Sequence, residues 1–220
     1  PSIRGRLVFS KGHACHALYA TWAAMGLIPV EHLARYARPE SPCPIHPCRH
    51  YTQQVECSSG SLGHGLGVGV GMAYGRRLGR RGGGVIVILS DGECNEGSTW
   101  EAAACAAAHR MPVLAIVDHN HLQAVARYEG VSGDTALADH FRGFGWPTQI
   151  ICGHDIGLLR EAIRAAPSDR PFAIVAKTVA GRGVSFIEDN LDWYYRSPSV
   201  TDVHRACEEL GEQPLYRSVT

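Results

Sequence analysis

Three short runs of apolar residues, rich in β-branched side chains, stand out in the hydrophobic pattern of the chain. They occupy residues 85–89, 113–117 and 172–176, and polar residues follow each of them. Continuous apolar runs of this length are typical of parallel strands that are buried on both faces. The pattern therefore predicts at least three strands of a parallel sheet.

Helical patterns lie between and before these runs. An Ala-rich stretch predicts a helix over residues 98–110, with Ser98 or Thr99 as its N-cap. Residues 13–25 also suit a helix, and a short helix is predicted after Pro29. The alternation of strands and helices indicates an α/β fold, in which helices cover both faces of a parallel sheet.

The second half of the chain continues this alternation without a break. A helix is predicted to begin at Asp155, because Ile156, Leu159 and Ile163 then share one helical face. No repeat, linker or low-complexity tract divides the sequence. Residues 1–220 are therefore predicted to form a single domain.

A glycine-rich stretch precedes the first predicted strand, with glycine at positions 60, 63, 65, 67, 69 and 71. These are too many glycines for a helix that is held by propensity alone. They favour close approach of the backbone to a ligand or to another helix. The stretch follows a loop rather than a strand, so it does not match the dinucleotide-binding GxGxxG fingerprint.

Composition excludes several classes of function. The 21 basic residues balance the 21 acidic ones, which argues against nucleic acid as a partner. No apolar run approaches the roughly 18 residues of a membrane span, and the first residues do not resemble a signal peptide. We therefore expect a soluble cytoplasmic protein with no membrane partner.

The cysteines allow two interpretations. Eight cysteines without a secretory signal are expected to be free thiols. Five residues of zinc-ligand type also lie close together in the sequence: Cys43, His46, Cys48, His50 and Cys57. Their spacing contains no CxxC, and three prolines make the segment an extended loop, so both features argue against a zinc site.

The most informative polar residues follow the first two predicted strands. Asp91 and Gly92 come directly after residues 85–89, and Asn120 follows residues 113–117. Ligands of open parallel sheets bind at the carboxyl ends of the strands. Carboxylate and amide oxygens at adjacent strand ends suit a divalent cation that holds a phosphate, although either residue alone would be an ordinary turn former.

Together these residues resemble the thiamine diphosphate signature, in which one strand ends in DG and a strand about thirty residues later ends in N. Further motifs extend the resemblance over most of residues 6–198: SKGHA, SGSLGHG, SDGECNEGS, VDHNHLQ and KTVAGRG. In order and spacing they are similar to the diphosphate-binding domain of transketolases, above all the short subunit of split transketolases. The resemblance implies the thiamine-diphosphate-binding fold, with thiamine diphosphate as cofactor.

The resemblance also implies a metal site. Asp91 and Asn120 would bind Mg²⁺, or Ca²⁺, through their side chains, and Leu122 would bind it through its carbonyl. Gly92 would donate a backbone N–H to the diphosphate, and the neighbouring Glu93 is counted with the cofactor-binding residues.

The same resemblance places two segments along the rest of the cofactor. Gly60, Ser61 and Leu62 match the segment that lies along the aminopyrimidine. His13 would reach the diphosphate and the space near the thiazolium, where reaction occurs.

Other matched residues are assigned to substrate and assembly. His46 matches a histidine that contacts the donor ketose, and His64, which replaces a common glutamine, is expected to hydrogen-bond in the cleft. Glu96 and Glu101 match acidic residues of a network that joins two active sites across the subunit interface. His119 and His121 flank Asn120 but receive no role.

The sequence departs from the family in two ways. Relatives begin some tens of residues earlier, so the N-terminus is expected to be truncated. The family also has Trp-His where this chain has Trp193 and Tyr194. A tyrosine with a pKa near 10 cannot shuttle protons near neutrality, although its hydroxyl can hydrogen-bond a phosphate.

The resemblance implies a partner, because the family's pyrimidine-binding domain does not fit within 220 residues. We expect a C-terminal transketolase subunit that carries this domain, in an α2β2 heterotetramer. The complex would transfer a two-carbon ketol unit from a ketose donor to an aldehyde acceptor. Two alternatives are the E1 component of a 2-oxoacid dehydrogenase and a non-catalytic structural subunit.

Overall fold

Parallel strands form the centre of the structure, a computed structural model that describes residues 5–124, 126–132 and 136–213. The described residues form five strands: β1 (Arg6–Phe9), β2 (Val85–Ser90), β3 (Val113–His119), β4 (Thr148–Cys152) and β5 (Phe172–Lys177). All four pairings are parallel, and the order across the sheet is β1-β2-β3-β5-β4.

Helices alternate with these strands. The same residues contain α1 (Cys15–Ala24), α2 (His64–Leu78), α3 (Gly97–Ala108), α4 (Tyr128–Ser132), α5 (Leu137–Gly143), α6 (Ile156–Ala165) and α7 (Val200–Leu210). Single 3-10 turns or short 3-10 helices occupy Gly12–Ala14, Val30–Arg35, Gly92–Asn95 and Leu191–Trp193.

Successive strand residues point to opposite sides of the sheet, and helices pack against both sides. On one face, Val85, Val87 and Leu89 of β2 belong to the main core, which also contains apolar residues of α2, α3 and α5. On the other face, Ile174 of β5 packs with Ala162 of α6. The predicted α/β fold, with helices on both faces of a parallel sheet, is confirmed.

The two strands that the hydrophobic pattern missed are the edge strands β1 and β4. All three predicted strands are present as β2, β3 and β5. By contrast, β1 has only four residues, and β4 is half exposed along its length. Short, partly solvated edge strands lack the continuous apolar run that identified the central strands.

The predicted N-cap of α3 is wrong. The helix begins at Gly97 with Glu96 in the N-cap position, and no side chain caps it. The two hydroxyls proposed as caps have other acceptors: Ser98 Oγ donates to the carbonyl of Gly63 (3.0 Å), and Thr99 Oγ1 donates to that of Glu93 (3.1 Å). They join α3 to neighbouring segments instead.

The other helix predictions fare differently. The sequence predicts a helix that begins at Asp155, and α6 begins at the next residue, Ile156. Asp155 is its N-cap, because the carboxylate accepts from the backbone N–H of Leu158 at 3.0 Å. The predicted apolar face is only partly buried: Leu159 packs against the sheet, whereas Ile156 is 65% exposed. After Pro29 the chain forms a 3-10 helix rather than an α-helix.

The glycine-rich stretch forms the fifteen-residue helix α2. Its glycines let the helix lie directly on the sheet, because a Cβ at Gly69 would come 2.5 Å from Val87, and one at Gly65 would overlap Ser10. The close approach expected from the sequence therefore exists, and the sheet is its partner. Packing offsets the poor helix propensity of glycine.

We expect opposite effects from alanine at two glycines of α2. Gly65→Ala should lower the free energy of unfolding by about 1–3 kcal/mol, because the new methyl group overlaps Ser10. Gly71→Ala is the matched control: nothing lies within 4 Å of its Cβ position, so better helix propensity should add up to about 1 kcal/mol. Urea denaturation of the two variants measures both effects, and shifts of equal sign and size would contradict this packing.

The structure answers three simpler questions from the sequence. All eight cysteines are free thiols, as expected. Across the described ranges, no group of three or more His, Cys, Asp or Glu side chains is placed to hold a metal ion. None of the helices in those ranges combines the length and the apolar character needed to cross a bilayer.

Candidate active site

The pairing of β2 with β3 brings the predicted metal ligands to one edge of the sheet. Ser90 is opposite Asp118 in the register, and the backbone N–H of Asp91 donates to the carbonyl of Asp118 at 3.3 Å. Asp91 therefore leaves β2 beside the point where Asn120 follows β3. This is the carboxyl edge of the parallel strands, as the sequence predicted.

The carboxylate of Asp91 is buried and held in a fixed orientation. Its Oδ1 accepts from the N–H of Gly92 (2.7 Å), and its Oδ2 accepts from the N–H of His121 (2.8 Å). The Nδ1 atom of His119 lies 3.2 Å from the same Oδ2. Only about 1% of Asp91 is exposed, so these contacts determine its orientation.

His119 is a site residue that sequence reasoning missed. The rings of His119 and His121 lie 4.0 Å apart, and His121 in turn contacts Glu129. β3 ends at His119 and His121 has a positive φ of 62°, so the turn rather than strand alternation brings the two rings together. The sequence pattern therefore gave no signal for this contact.

A tight turn follows β3 and shapes the rest of the predicted metal site. The Oδ1 atom of Asn120 accepts from the N–H of Leu122 at 3.0 Å, and His121 between them has a positive φ of 62°. Carboxylate, amide and main-chain carbonyl oxygens are the donors that Mg²⁺ and Ca²⁺ prefer. The chemistry of Asp91, Asn120 and Leu122 therefore fits a divalent cation.

The backbone at Gly92 is closely surrounded, which fits a position where a side chain would interfere with a ligand. A Cβ at this residue would lie 3.3 Å from the side chain of Gln123. Gln123 also accepts a hydrogen bond from Asn95 at 3.0 Å, so the two loops that follow β2 and β3 are tied together. In this structure the N–H of Gly92 is bound by Asp91.

A second wall of the site contains His13, His46 and Gly60. The rings of His13 and His46 are 5.0 Å apart and nearly perpendicular. A Cβ at Gly60 would come 3.2 Å from the His46 ring, and one at Gly12 would come 2.9 Å from the nitrogen of Gly60. The structure thus brings together three segments that the sequence analysis assigned to cofactor and substrate.

The pKa of His13 lies below its ordinary value. Burial is the main cause, and the nearby His46 and Lys11 also disfavour a positive charge. The imidazole of His13 is therefore neutral at neutral pH, with one nitrogen that donates a hydrogen bond and one that accepts.

Cys15 holds the loop that carries His46 through a hydrogen bond. The thiol of this buried residue donates to the carbonyl of Ile45 at 3.0 Å. Burial raises the pKa of Cys15, so the thiol stays protonated and remains a donor. The residue next to His46 is therefore tied to the first turn of α1.

An ion pair that the sequence did not reveal connects three strand ends. Lys11 Nζ lies 2.6 Å from Asp118 Oδ2, and Thr178 Oγ1 donates to the other oxygen of Asp118. These residues follow β1, end β3 and follow β5. The network is only partly exposed, and it joins the residue before Gly12 to the strand that leads to Asn120.

The remaining predicted residues lie around this centre. Ser61, His64, Glu96 and Glu101 are exposed, and Leu62 is half buried. Glu93 differs from all of them because it is fully buried, and its carboxylate accepts from Ser10 Oγ and from the N–H of Gly63. Burial raises the pKa of Glu93.

Tyr194 lies near Asp91, although it is distant in sequence. Burial, the neighbouring Tyr195 and the charge of Asp91 raise the pKa of Tyr194 above that of an ordinary phenol. Its hydroxyl is therefore protonated at neutral pH and acts as a hydrogen-bond donor rather than a proton shuttle.

A parallel sheet that offers carboxylate and amide oxygens at two adjoining strand ends is the kind of domain that can bind a cofactor diphosphate through a divalent metal ion. The chain belongs to the transketolase family: residues 2–216 match the description "Transketolase, thiamine diphosphate binding domain". Membership implies thiamine diphosphate and a divalent metal ion as cofactors, and it makes the chain part of a transferase.

Two relatives are named as transketolase subunits. One belongs to the apulose-4-phosphate transketolase of Actinobacillus succinogenes and is 34% identical over 206 residues, which span 93% of this chain and 75% of that protein. The other belongs to the 6-deoxy-6-sulfo-D-fructose transketolase of Clostridium sp. and is 36% identical over 191 residues, which span 86% and 70%.

Solved structures give the same result for the fold. The transketolase of Campylobacter jejuni superposes with a TM-score of 0.89 at 27% identity. The match covers 97% of this chain but only 35% of that protein, so the chain spans about a third of the length of this solved transketolase.

Proposed function

We propose that this chain is the diphosphate-binding subunit of a two-component transketolase that moves a two-carbon ketol unit from a ketose to an aldehyde. The observation that carries the proposal is the set of oxygen donors that Asp91, Asn120 and Leu122 offer at the carboxyl edge of the sheet, where β2 and β3 end. The His13–His46 wall supports it, because ketol transfer requires groups that move protons near a carbonyl.

In this proposal the chain's residues divide into two groups. Asp91, Asn120 and the carbonyl of Leu122 hold the metal ion, and the backbone at Gly92 contacts the diphosphate. Thiamine diphosphate, when bound, supplies a nucleophilic carbon that adds to a ketose carbonyl. Neutral His13 accepts and returns protons near that carbon, and His46 binds the donor ketose.

The partner in this proposal is a second polypeptide that carries the pyrimidine-binding domain, in an α2β2 heterotetramer. Relatives that match this chain over 70% or more of their own length are named as transketolase subunits, which supports a divided enzyme. The exposed Glu96 and Glu101 at the start of α3 are available for the interface network that their family match implies. Gly60, Ser61 and Leu62 would lie along the aminopyrimidine, and His64 would hydrogen-bond in the cleft.

The proposal is tested by reconstitution. The chain alone should transfer no ketol units, whereas the chain mixed with its partner subunit, thiamine diphosphate and Mg²⁺ should do so. The donor panel should include xylulose 5-phosphate, apulose 4-phosphate and 6-deoxy-6-sulfo-D-fructose, since the last two appear in the names of relatives. Robust transfer by the chain alone would contradict the divided enzyme, and decarboxylation of 2-oxo acids by the complex would favour the E1 alternative.

Tyr194 distinguishes a specialised enzyme from a structural subunit. We expect the native complex to turn over at least one ketose of the panel, and Tyr194→His to leave that rate unchanged or lower it. The new imidazole should raise side activity on common sugar phosphates and add an ionisation near pH 6.5, whereas the phenol stays neutral across roughly pH 6–9.

Steady-state rates of the native complex and the Tyr194→His complex over this pH range provide the measurement. Tyr195→His is the matched control, because its ring is 75% exposed and lies beside Tyr194. If the Tyr194→His complex turns over a ketose and the native complex turns over none, the native chain is a non-catalytic structural subunit.

A further inference from the structure

Glu93 is a fully buried carboxylic acid that lies two residues after Asp91. Its side chain is fully buried, and one carboxylate oxygen, Oε1, accepts two hydrogen bonds. One donor is the hydroxyl of Ser10 at the end of β1, and the other is the N–H of Gly63 at 3.0 Å. The second oxygen, Oε2, has no partner within the described ranges.

The main chain of Glu93 is tied just as closely to the other side of the site. Its N–H donates to Ser90 Oγ at 3.1 Å, and its carbonyl accepts from Thr99 Oγ1 at 3.1 Å. The residue is therefore fixed to the end of β2 and to α3, two positions after Asp91. Its carboxylate reaches from there to the loop that precedes α2.

That loop has little freedom of its own. Gly63 has a φ of +80°, and a Cβ there would come 2.6 Å from Glu96, so the backbone at this residue is closely packed. Ser98 binds the carbonyl of Gly63 at 3.0 Å, while Glu93 binds its N–H. The peptide groups on both sides of Gly63 are thus held by side chains from the segment that follows β2.

We propose that Glu93 is a positioning residue, which holds the loop of residues 60–63 at a fixed distance from the Asp91–Gly92 turn so that both contact one cofactor molecule. The inference rests on the proposed function, in which these two segments bind the aminopyrimidine and the diphosphate. It assigns Glu93 an indirect role, because its buried carboxylate contacts the loop rather than the cofactor.

Substitution of Glu93 should weaken the binding of a ligand that contacts both segments, and it should leave the binding of a ligand that contacts only one segment unchanged. We therefore compare thiamine diphosphate with inorganic diphosphate, both with saturating Mg²⁺, by calorimetry on the complex with the partner subunit. Glu93→Ala should weaken thiamine diphosphate binding by roughly 10- to 100-fold, since misplacement by about 1 Å has effects of this size. Binding of inorganic diphosphate should change by less than about threefold.

Two conservative variants separate positioning from charge and from folding. Glu93→Gln retains an oxygen acceptor of the same length, so it should bind both ligands within about threefold of the native complex. Glu93→Asp keeps the charge but is one methylene shorter. It should lose an intermediate amount of affinity for thiamine diphosphate and none for inorganic diphosphate. These variants also carry the test if Glu93→Ala does not fold.

Glu209→Ala is the matched control. Its carboxylate also accepts from a serine hydroxyl and a backbone N–H, both of Ser185, but on the surface at α7. It should change neither affinity. Equal losses for both ligands, no loss with Glu93→Ala, or losses with Glu93→Gln as large as those with Glu93→Ala would each overturn the positioning role. A native complex that binds no thiamine diphosphate would instead refute the proposed function, and this inference with it.

Discussion

Replacing Asp91 with alanine is expected to weaken thiamine diphosphate binding by several kcal/mol, on the order of 100-fold or more in the dissociation constant. Asp91 is the only charged member of the proposed donor set, and the other two members are an amide and a carbonyl. Its loss leaves the metal without the ligand that best offsets its charge. Calorimetry on the complex with the partner subunit, with and without Mg²⁺, measures the effect.

The response to the metal provides the sharper criterion. Native complex should lose most of its affinity when a chelator removes Mg²⁺, whereas the Asp91→Ala complex should respond only weakly. Asp139→Ala is the matched control, because this aspartate is exposed and its ion pair with Arg142 (2.7 Å) lies within α5. Equal affinity of the native complex with and without Mg²⁺ would refute the metal site.

The second large effect is expected at His46. His46→Ala should lower kcat/KM for the donor ketose by roughly 10²–10⁴, the range for a positioned acid–base group. Cofactor affinity should change little, because in the proposal His46 binds the donor ketose, whereas Asp91, Asn120 and the carbonyl of Leu122 hold the metal ion of the cofactor. Donor kinetics at saturating cofactor, together with calorimetry, separate these two quantities.

His50 offers the control for this variant. It is an exposed histidine of the same loop, and its ring stacks edge-on against Tyr51 at 4.9 Å. His50→Ala should leave the donor kinetics unchanged. If His46→Ala instead strongly weakens cofactor binding while donor kinetics at saturating cofactor stay normal, His46 belongs to the cofactor site and its assignment to substrate is wrong.

The neighbourhood of Asp91 and Asn120 could be predicted from the sequence because one rule was enough. Both residues follow buried parallel strands, and the ends of such strands meet at a single edge whatever the order of the sheet. The central strands were equally accessible, since burial on both faces leaves continuous apolar runs in the sequence.

Contacts between distant segments could not be predicted in the same way. The ion pair of Lys11 with Asp118 joins positions 107 residues apart, and it depends on where the short strand β1 lies in the sheet. The buried contact of Glu93 with Ser10 depends on the same placement. Neither β1 nor its position has a signal in the hydrophobic pattern, so these partners emerged only from the three-dimensional structure.

The N-cap of α3 failed for a different physical reason. Ser98 and Thr99 are good capping residues by type, but the helix already begins at Gly97, so both lie inside its first turn rather than at the N-cap. Their hydroxyls donate hydrogen bonds to neighbouring backbone carbonyls instead. Gly63 and Glu93 accept those hydrogen bonds, and both belong to segments of the site. Local propensity was overridden where the chain builds the cofactor-binding edge.

The strand order has a consequence for how the chain acquires its shape during synthesis. Of the five strands in the described residues, β5 is made last, yet it lies between β3 and β4 in the sheet. β1 also remains unpaired until β2 has been made, because Arg6 pairs with Val85. Until residue 177 has left the ribosome, one edge of β3 has no neighbour, and Asp118 lacks Thr178. Pairing between such distant segments is slow, so a nascent chain carries an open hydrophobic edge that chaperones can bind.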